Sequence, residues 1–212
     1  MSFYMQIIKE ACVDSFFDAV NAEKKGANRI ELCGRLDLDG LTPSKKLLKK
    51  VFSNLNIPIR VMIRPKHPSF IYSDKDIQRM IDDINYCKKL GVDGVVLGCL
   101  NEDSSLNINQ INLLSEIAKP LNVIIHKAID KTDSVLHSLL LLLKNKNING
   151  VLSSGGKTFA KDATKTLKKM LDLVPDNFEI INAGGITYKN INELHSLIQG
   201  KYYHGKKIIK LK

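Results

Sequence analysis

The chain has 212 residues, 44 % of them hydrophobic and 25 % charged, with a formal net charge of +10. That length supports one well-filled core, and no stretch reads as a linker, so residues 1–212 are expected to form a single domain. Lys9, Glu10, Asp14 and Asp18 interrupt any signal-peptide core, and the most apolar run, Leu139 to Leu143, is too short to span a bilayer, which predicts a protein without membrane attachment, located in the cytoplasm. The basic charge comes from 27 Lys and only 5 Arg, scattered over nearly every predicted helix with no single stripe, and Asn and Ile are also abundant. This pattern fits codon bias rather than a nucleic-acid footprint, so no nucleic-acid partner is expected.

Short β-branched runs alternate with amphipathic stretches, the signature of β/α units around a parallel sheet. The first predicted strand, Gln6 to Cys12, ends in Glu10-Ala11-Cys12; a helix over Ser15 to Lys25 follows, and the second strand, Arg29 to Cys33, ends in Glu31-Leu32-Cys33. Alternation puts Glu10 and Cys12 on one face, and Glu31 and Cys33 likewise, so if the strands are neighbours two carboxylates and two thiols converge. Thr42-Pro43-Ser44 opens a helix over Ser44 to Asn54, and the third strand, Pro58 to Ile63, leads into Arg64. In a Lys-biased chain Arg remains where a planar fork is useful, which singles out Arg35 and Arg64, whereas Arg29, Arg60 and Arg79 suit either the surface or internal carboxylates.

A long helix, Asp74 to Leu90, is started by Tyr72-Ser73-Asp74 and stopped by Gly91. The fourth strand, Gly94 to Gly98, leads to Cys99, and a helix over Ile108 to Ala118 precedes the fifth strand, Asn122 to Lys127. That strand carries the densest chemistry, His126-Lys127-Ala128-Ile129-Asp130: His126 suits a general base or ligand, and Asp130 suits either chemistry or a helix cap. Helices over Ser134 to Lys144, Ala160 to Leu173 and Tyr188 to Gln199 flank the sixth strand, Gly150 to Ser153, and the seventh, Glu179 to Asn182. These two strands end in Ser154-Gly155 and Gly184-Gly185, turns whose N–H groups suit an anion. The eighth strand, Lys201 to His204, ends in His204 and is followed by too few residues for a full closing helix. The whole pattern predicts an α/β fold, a (β/α)8 TIM-type barrel with a short or missing final helix. One flank is then left bare, which points to a homo-oligomer.

No P-loop, GxGxxG, HExxH or nucleophile elbow is present. The four cysteines show no CxxC spacing, so disulfides are not expected, and Cys87 reads as helix packing. Thiolates with imidazole and a nearby Met suit Cu(I), whereas Glu with His suits harder ions.

Glu10-Ala11-Cys12-Val13-Asp14-Ser15, Arg29-Ile30-Glu31-Leu32-Cys33, Gly40-Leu41-Thr42-Pro43-Ser44, Val61-Met62-Ile63-Arg64-Pro65, Tyr72-Ser73-Asp74, Gly91-Val92-Asp93-Gly94-Val95-Val96 and His126-Lys127-Ala128-Ile129-Asp130 resemble, in order, the CutC family, named for copper homeostasis. The resemblance implies a cytoplasmic TIM-type barrel, often oligomeric, whose polar mouth corresponds here to Glu10, Cys12, Glu31, Cys33, Arg64, His126, Asp130 and His204. Where the family usually has His-Arg-Ala-Phe-Asp this chain has Lys127 and Ile129, a point charge in place of a planar fork, and the family commonly continues further beyond the eighth strand. Two expectations follow. In one, Cys12 and Cys33, with His126 or Met62, hold a copper ion as Cu(I). In the other, the barrel is an enzyme in which Arg64 and the turns at Ser154, Gly155, Gly184 and Gly185 hold a small anionic metabolite while Glu10 or Glu31 exchanges protons with His126.

Overall fold

The computed structural model describes residues 6–210. Eight parallel strands close into a barrel in chain order: β1 (Ile8–Val13), β2 (Arg29–Leu32), β3 (Ile59–Met62), β4 (Gly94–Leu97), β5 (Asn122–Ile125), β6 (Gly150–Ser153), β7 (Glu179–Asn182) and β8 (Tyr202–Gly205). Between them run α1 (Phe16–Lys24), α2 (Lys45–Phe52), α3 (Asp74–Leu90), α4 (Ile108–Ala118), α5 (Val135–Leu142), α6 (Thr164–Leu173) and α7 (Ile191–Ile198). The expected (β/α)8 barrel is therefore the observed fold, and among the described residues no helix follows β8. None of the helices is long and apolar enough to cross a membrane.

Several boundaries are set by the chemistry visible in the chain. Ser15, Ser44, Ser73 and Ser134 each accept a hydrogen bond from a backbone N–H of the first turn, and Ser73 forms a reciprocal capping box with Asp76. Gly91 ends α3 in the left-handed region at φ 78°. Two expected helices start later than their pattern suggested. The Ala160 N–H donates to the Gly184 carbonyl, which ties Ala160–Asp162 into a separate 3-10 turn ahead of α6. Asn190 accepts from the Thr187 N–H and donates to the Gly185 carbonyl, holding Tyr188–Asn190 in a turn before α7.

The strands separate two apolar layers. Outward residues such as Ile30, Val61, Val95, Val123, Val151 and Ile180 pack under the helices, while Cys12, Cys33, Met62, Val96, Ile124, Leu152, Ile181 and Ala183 fill the barrel. The flank that was expected to be bare is lined by Ile208 and Ile209, which are 1 % and 7 % exposed and belong to the outer apolar layer.

Barrel closure also demands close backbone approach. A Cβ at Gly150 would lie 2.6 Å from the Glu179 carbonyl oxygen and 2.8 Å from its Cβ, on the neighbouring strand. Gly150→Ala is expected to lower stability by about 1–3 kcal/mol in urea unfolding, the usual range for overpacking a filled interior.

Candidate functional site

The barrel floor is closed by charge rather than by apolar side chains. Arg60 of β3, 2 % exposed, donates through both terminal nitrogens to Glu179 at 2.8 and 2.9 Å and through Nε to Asp93 at 2.9 Å. Arg29 of β2 lies 2.5 Å from Glu10 through Nε and 3.1 Å from Glu179 through Nη2. Buried ions persist only when paired in this way, and the alternation of β1, β2, β3 and β7 turns all four side chains inward.

Glu10 links this floor to the mouth. Its Oε1 lies 2.9 Å from Nδ1 of His204, and Nε2 of the same ring lies 3.6 Å from Oε2 of Glu31. That carboxylate oxygen is in turn 3.2 Å from Cys12 Sγ and 3.4 Å from Cys33 Sγ, and the sulfurs are 3.9 Å apart. The register accounts for the convergence, since Cys12 sits opposite Glu31 and Glu10 opposite His204 on the strands that flank β1.

The protonation of this chain follows from burial and neighbours. Burial works against a charged Glu10, but Arg29, with help from His204 and Arg60, pulls its carboxyl down to about 2. Glu31 pairs with no guanidinium among the described residues, and burial, against the pull of His204, pushes it well above its ordinary value, with Cys12 and Glu10 adding to the effect. A hydrogen bond from Cys33 outweighs burial and, with His204, lowers Cys12 well below an ordinary thiol, while Cys33 is raised by that same hydrogen bond and by burial. Burial opposes a charged imidazole at His204, but Glu31, Cys12 and Glu10 together raise it well above its usual value. Cys12 is therefore the more readily ionised of the two thiols, and Glu31 the more readily protonated of the two carboxyls. Because Glu10 titrates lower in the folded chain than in the unfolded one, its contribution is present above the unfolded pKa and is lost as pH falls toward about 2. Unfolding free energy is expected to decline from about pH 5 downward, and Glu10→Gln is expected to flatten that acid limb.

The expected partners distribute differently from the sequence reading. His126 lies on the mouth wall, apart from the thiol cluster; burial and then Arg64 push its pKa down to about 3, so it stays neutral rather than exchanging protons near neutrality. The groups positioned to share protons with Glu31 are His204 and Cys12. The β6 turn is also not open to an external anion. The N–H groups of Ser154 and Gly156 and the hydroxyl of Ser153 donate to Asp130, the single Ser154 hydroxyl proton is shared between Asp130 and the Lys157 carbonyl, and the Gly155 N–H donates to Ser153 Oγ. Asp130 thus occupies the place that Ser154 and Gly155 were expected to offer, whereas Gly184 and Gly185 line the cavity at the mouth. With three donors turned on one carboxylate and a fourth shared with it, Asp130→Ala is expected to cost at least about 3 kcal/mol in chemical unfolding, since hydrogen bonds to a charged group contribute about 1.5–3 kcal/mol each.

Three features were not singled out in the sequence. Phe70, in the loop after β3, packs against both the Arg64 guanidinium and the His126 ring, at 4.5 and 4.9 Å. Thr42 Oγ1 accepts the Arg64 N–H at 2.9 Å, so the Thr-Pro-Ser segment holds the end of β3 as well as preceding α2. Lys127, Lys131, Lys157, Lys206 and Lys207 gather at one cavity of about 820 Å³ over the barrel mouth.

Fold and site together define a TIM-type barrel with a thiol, carboxylate and imidazole centre at its C-terminal mouth, where barrels of this kind place their function. The CutC family model matches residues 7–209. A human protein named copper homeostasis protein cutC homolog is 37 % identical over 88 % of this chain and 68 % of its own length. A CutC protein of Enterococcus faecalis is 32 % identical over 96 % of this chain and 100 % of its own. The crystal structure of CutC from Streptococcus agalactiae superimposes with a TM-score of 0.90 at 27 % identity, covering 96 % of this chain and 100 % of that one. The chain belongs to the CutC family.

Proposed function

We propose that the protein takes up a Cu(I) ion between Cys12 and Cys33 and serves in copper homeostasis. The observation that carries this reading is the pair of buried sulfurs 3.9 Å apart, with a carboxylate oxygen of Glu31 within reach of both. Their separation is less than twice a metal–sulfur bond of about 2.3 Å, so one ion can contact both. Thiolate ligands favour a soft ion such as Cu(I), and free thiols suit a reducing compartment such as the cytoplasm.

The charge balance favours a monovalent ion. Arg29, Arg60 and His204 face Glu10, Glu179 and Asp93, three cations against three carboxylates. With Glu31 protonated, as its burial favours, a Cys12 thiolate then leaves one uncompensated negative charge, which a single Cu(I) neutralises. Glu31 touches both sulfurs through Oε2, and its Oε1, which has no hydrogen-bond partner among the described residues, is placed to join the ligand set. The name carried by the human relative supports the role in copper homeostasis.

The test is an anaerobic titration of reduced protein with Cu(I) against a chromophoric chelator. One ion bound per chain, with proton release on binding, is the expected result. Failure to compete at any chelator concentration would remove the proposal.

A further inference from the structure

The thiol centre leaves one wall of the cavity unexplained. Arg64, 4 % exposed, forms no ion pair with any carboxylate among the described residues; its terminal nitrogens meet the carbonyls of Leu38, Asp39, Gly40 and Pro68 and the ring of His67, and the Tyr72 hydroxyl also lies beside its side chain. Its Nε has no hydrogen-bond partner among the described residues. Beside it, His126 accepts the Ala128 N–H on Nδ1 at 3.2 Å, which places the proton of the neutral ring on Nε2, and that second nitrogen is also buried without a partner. Two N–H donors and a lone guanidinium charge thus stand on one wall, joined through Phe70. Buried donors without acceptors are unfavourable, so an arrangement that retains two of them suits a ligand that supplies acceptors.

The rim repeats the message. Arg64, Lys127, Lys131, Lys157, Lys206 and Lys207 line the cavity against only Glu31, Asp39 and Asp130, and Asp130 is engaged by the β6 turn. Lys131, Lys157 and Lys207 form no ion pair among the described residues. A concave site lined by one sign of charge concentrates ligands of the other. Leu36, Phe70, Leu152 and Ile186 supply apolar surface alongside the charge, and a cavity of about 820 Å³ holds an organic molecule.

We propose that the barrel mouth carries a second binding site, for a small organic oxyanion bearing phosphate or carboxylate, seated on Arg64, His126 and Phe70 beneath the lysine rim. It shares the cavity with the thiol centre but stands on a different wall: the anion is held by hydrogen bonds and charge, and no covalent step is involved. Arg64 and Lys127 and their neighbours supply attraction, while the His126 donor and the Phe70 face select orientation.

Isothermal titration of the full chain at constant ionic strength, with pyrophosphate, phosphoserine and citrate as probes, tests this directly. Saturable binding of at least one probe, one per chain, is expected, and the preferred probe distinguishes phosphate from carboxylate recognition. Lys131→Glu with Lys157→Glu is expected to weaken it at least tenfold. Lys49→Glu with Lys169→Glu, the same charge change on α2 and α6 away from the mouth, is expected to leave affinity within twofold. His126→Phe is expected to weaken binding severalfold. No saturable binding of any probe, or equal loss in the two lysine pairs, would overturn the proposal.

Discussion

Replacing Arg60 by alanine is expected to destabilise the protein by about 3–5 kcal/mol, the loss typical of removing one partner from a buried ion network. Glu179 would lose a bidentate partner and Asp93 its contact with Arg60 Nε, inside a barrel floor where Arg60 is 2 % exposed. Chemical unfolding monitored by circular dichroism measures the loss. The cause is distinguishable from simple loss of volume. If unpaired charge dominates, Arg60→Met combined with Glu179→Gln and Asp93→Asn recovers a large part of the stability, because a buried ion pair is often replaceable by neutral groups of similar size. A triple variant no more stable than Arg60→Ala would assign the effect to packing instead.

The second large effect concerns Cu(I). Cys12→Ser and Cys33→Ser are each expected to weaken binding by more than about 100-fold, since changes to groups that merely orient ligands already cost about 10–100-fold. The two substitutions should not be equivalent. Cys12 is the thiol held below its ordinary value by Cys33 and His204, so its loss removes the ready thiolate, whereas Cys33 must still give up a proton when the ion binds. Cys33→Ser should therefore reduce the pH dependence of Cu(I) affinity more than Cys12→Ser does, measured by chelator competition between pH 6 and pH 8, on the order of one proton in the linkage relation. Equal affinity in the native chain and the double variant would remove both sulfurs from the site.

Much of this architecture is legible locally. The repeated Glu-x-Cys at the ends of β1 and β2 needs only strand alternation and adjacency to bring Glu10, Cys12, Glu31 and Cys33 together, and the register delivers that adjacency. The serine caps at Ser15, Ser44, Ser73 and Ser134 are likewise written in neighbouring residues. What is not legible depends on barrel closure. The Arg60 and Glu179 pair spans 119 positions and His204 meets Glu10 across 194, so neither partner is indicated by spacing. Asp130 reads as a catalytic group or a helix cap, and its acceptor role emerges only when β5 and β6 lie side by side. The lysine rim was concealed by composition: among 27 lysines, the five at the mouth come from the ends of β5, β6 and β8 and share no sequence pattern. A scattered count proved a poor guide because the loops of a barrel collect at one face whatever their separation along the chain.

The centre proposed here stands on the ligands of the bound ion, and X-ray absorption spectroscopy of the Cu(I)-loaded, reduced protein addresses them most directly. Two sulfur scatterers at the metal, falling to one in Cys12→Ser and in Cys33→Ser, is the expected result. A spectrum fitted by nitrogen and oxygen ligands alone, unchanged in both variants, would contradict the assignment and move copper away from Cys12 and Cys33.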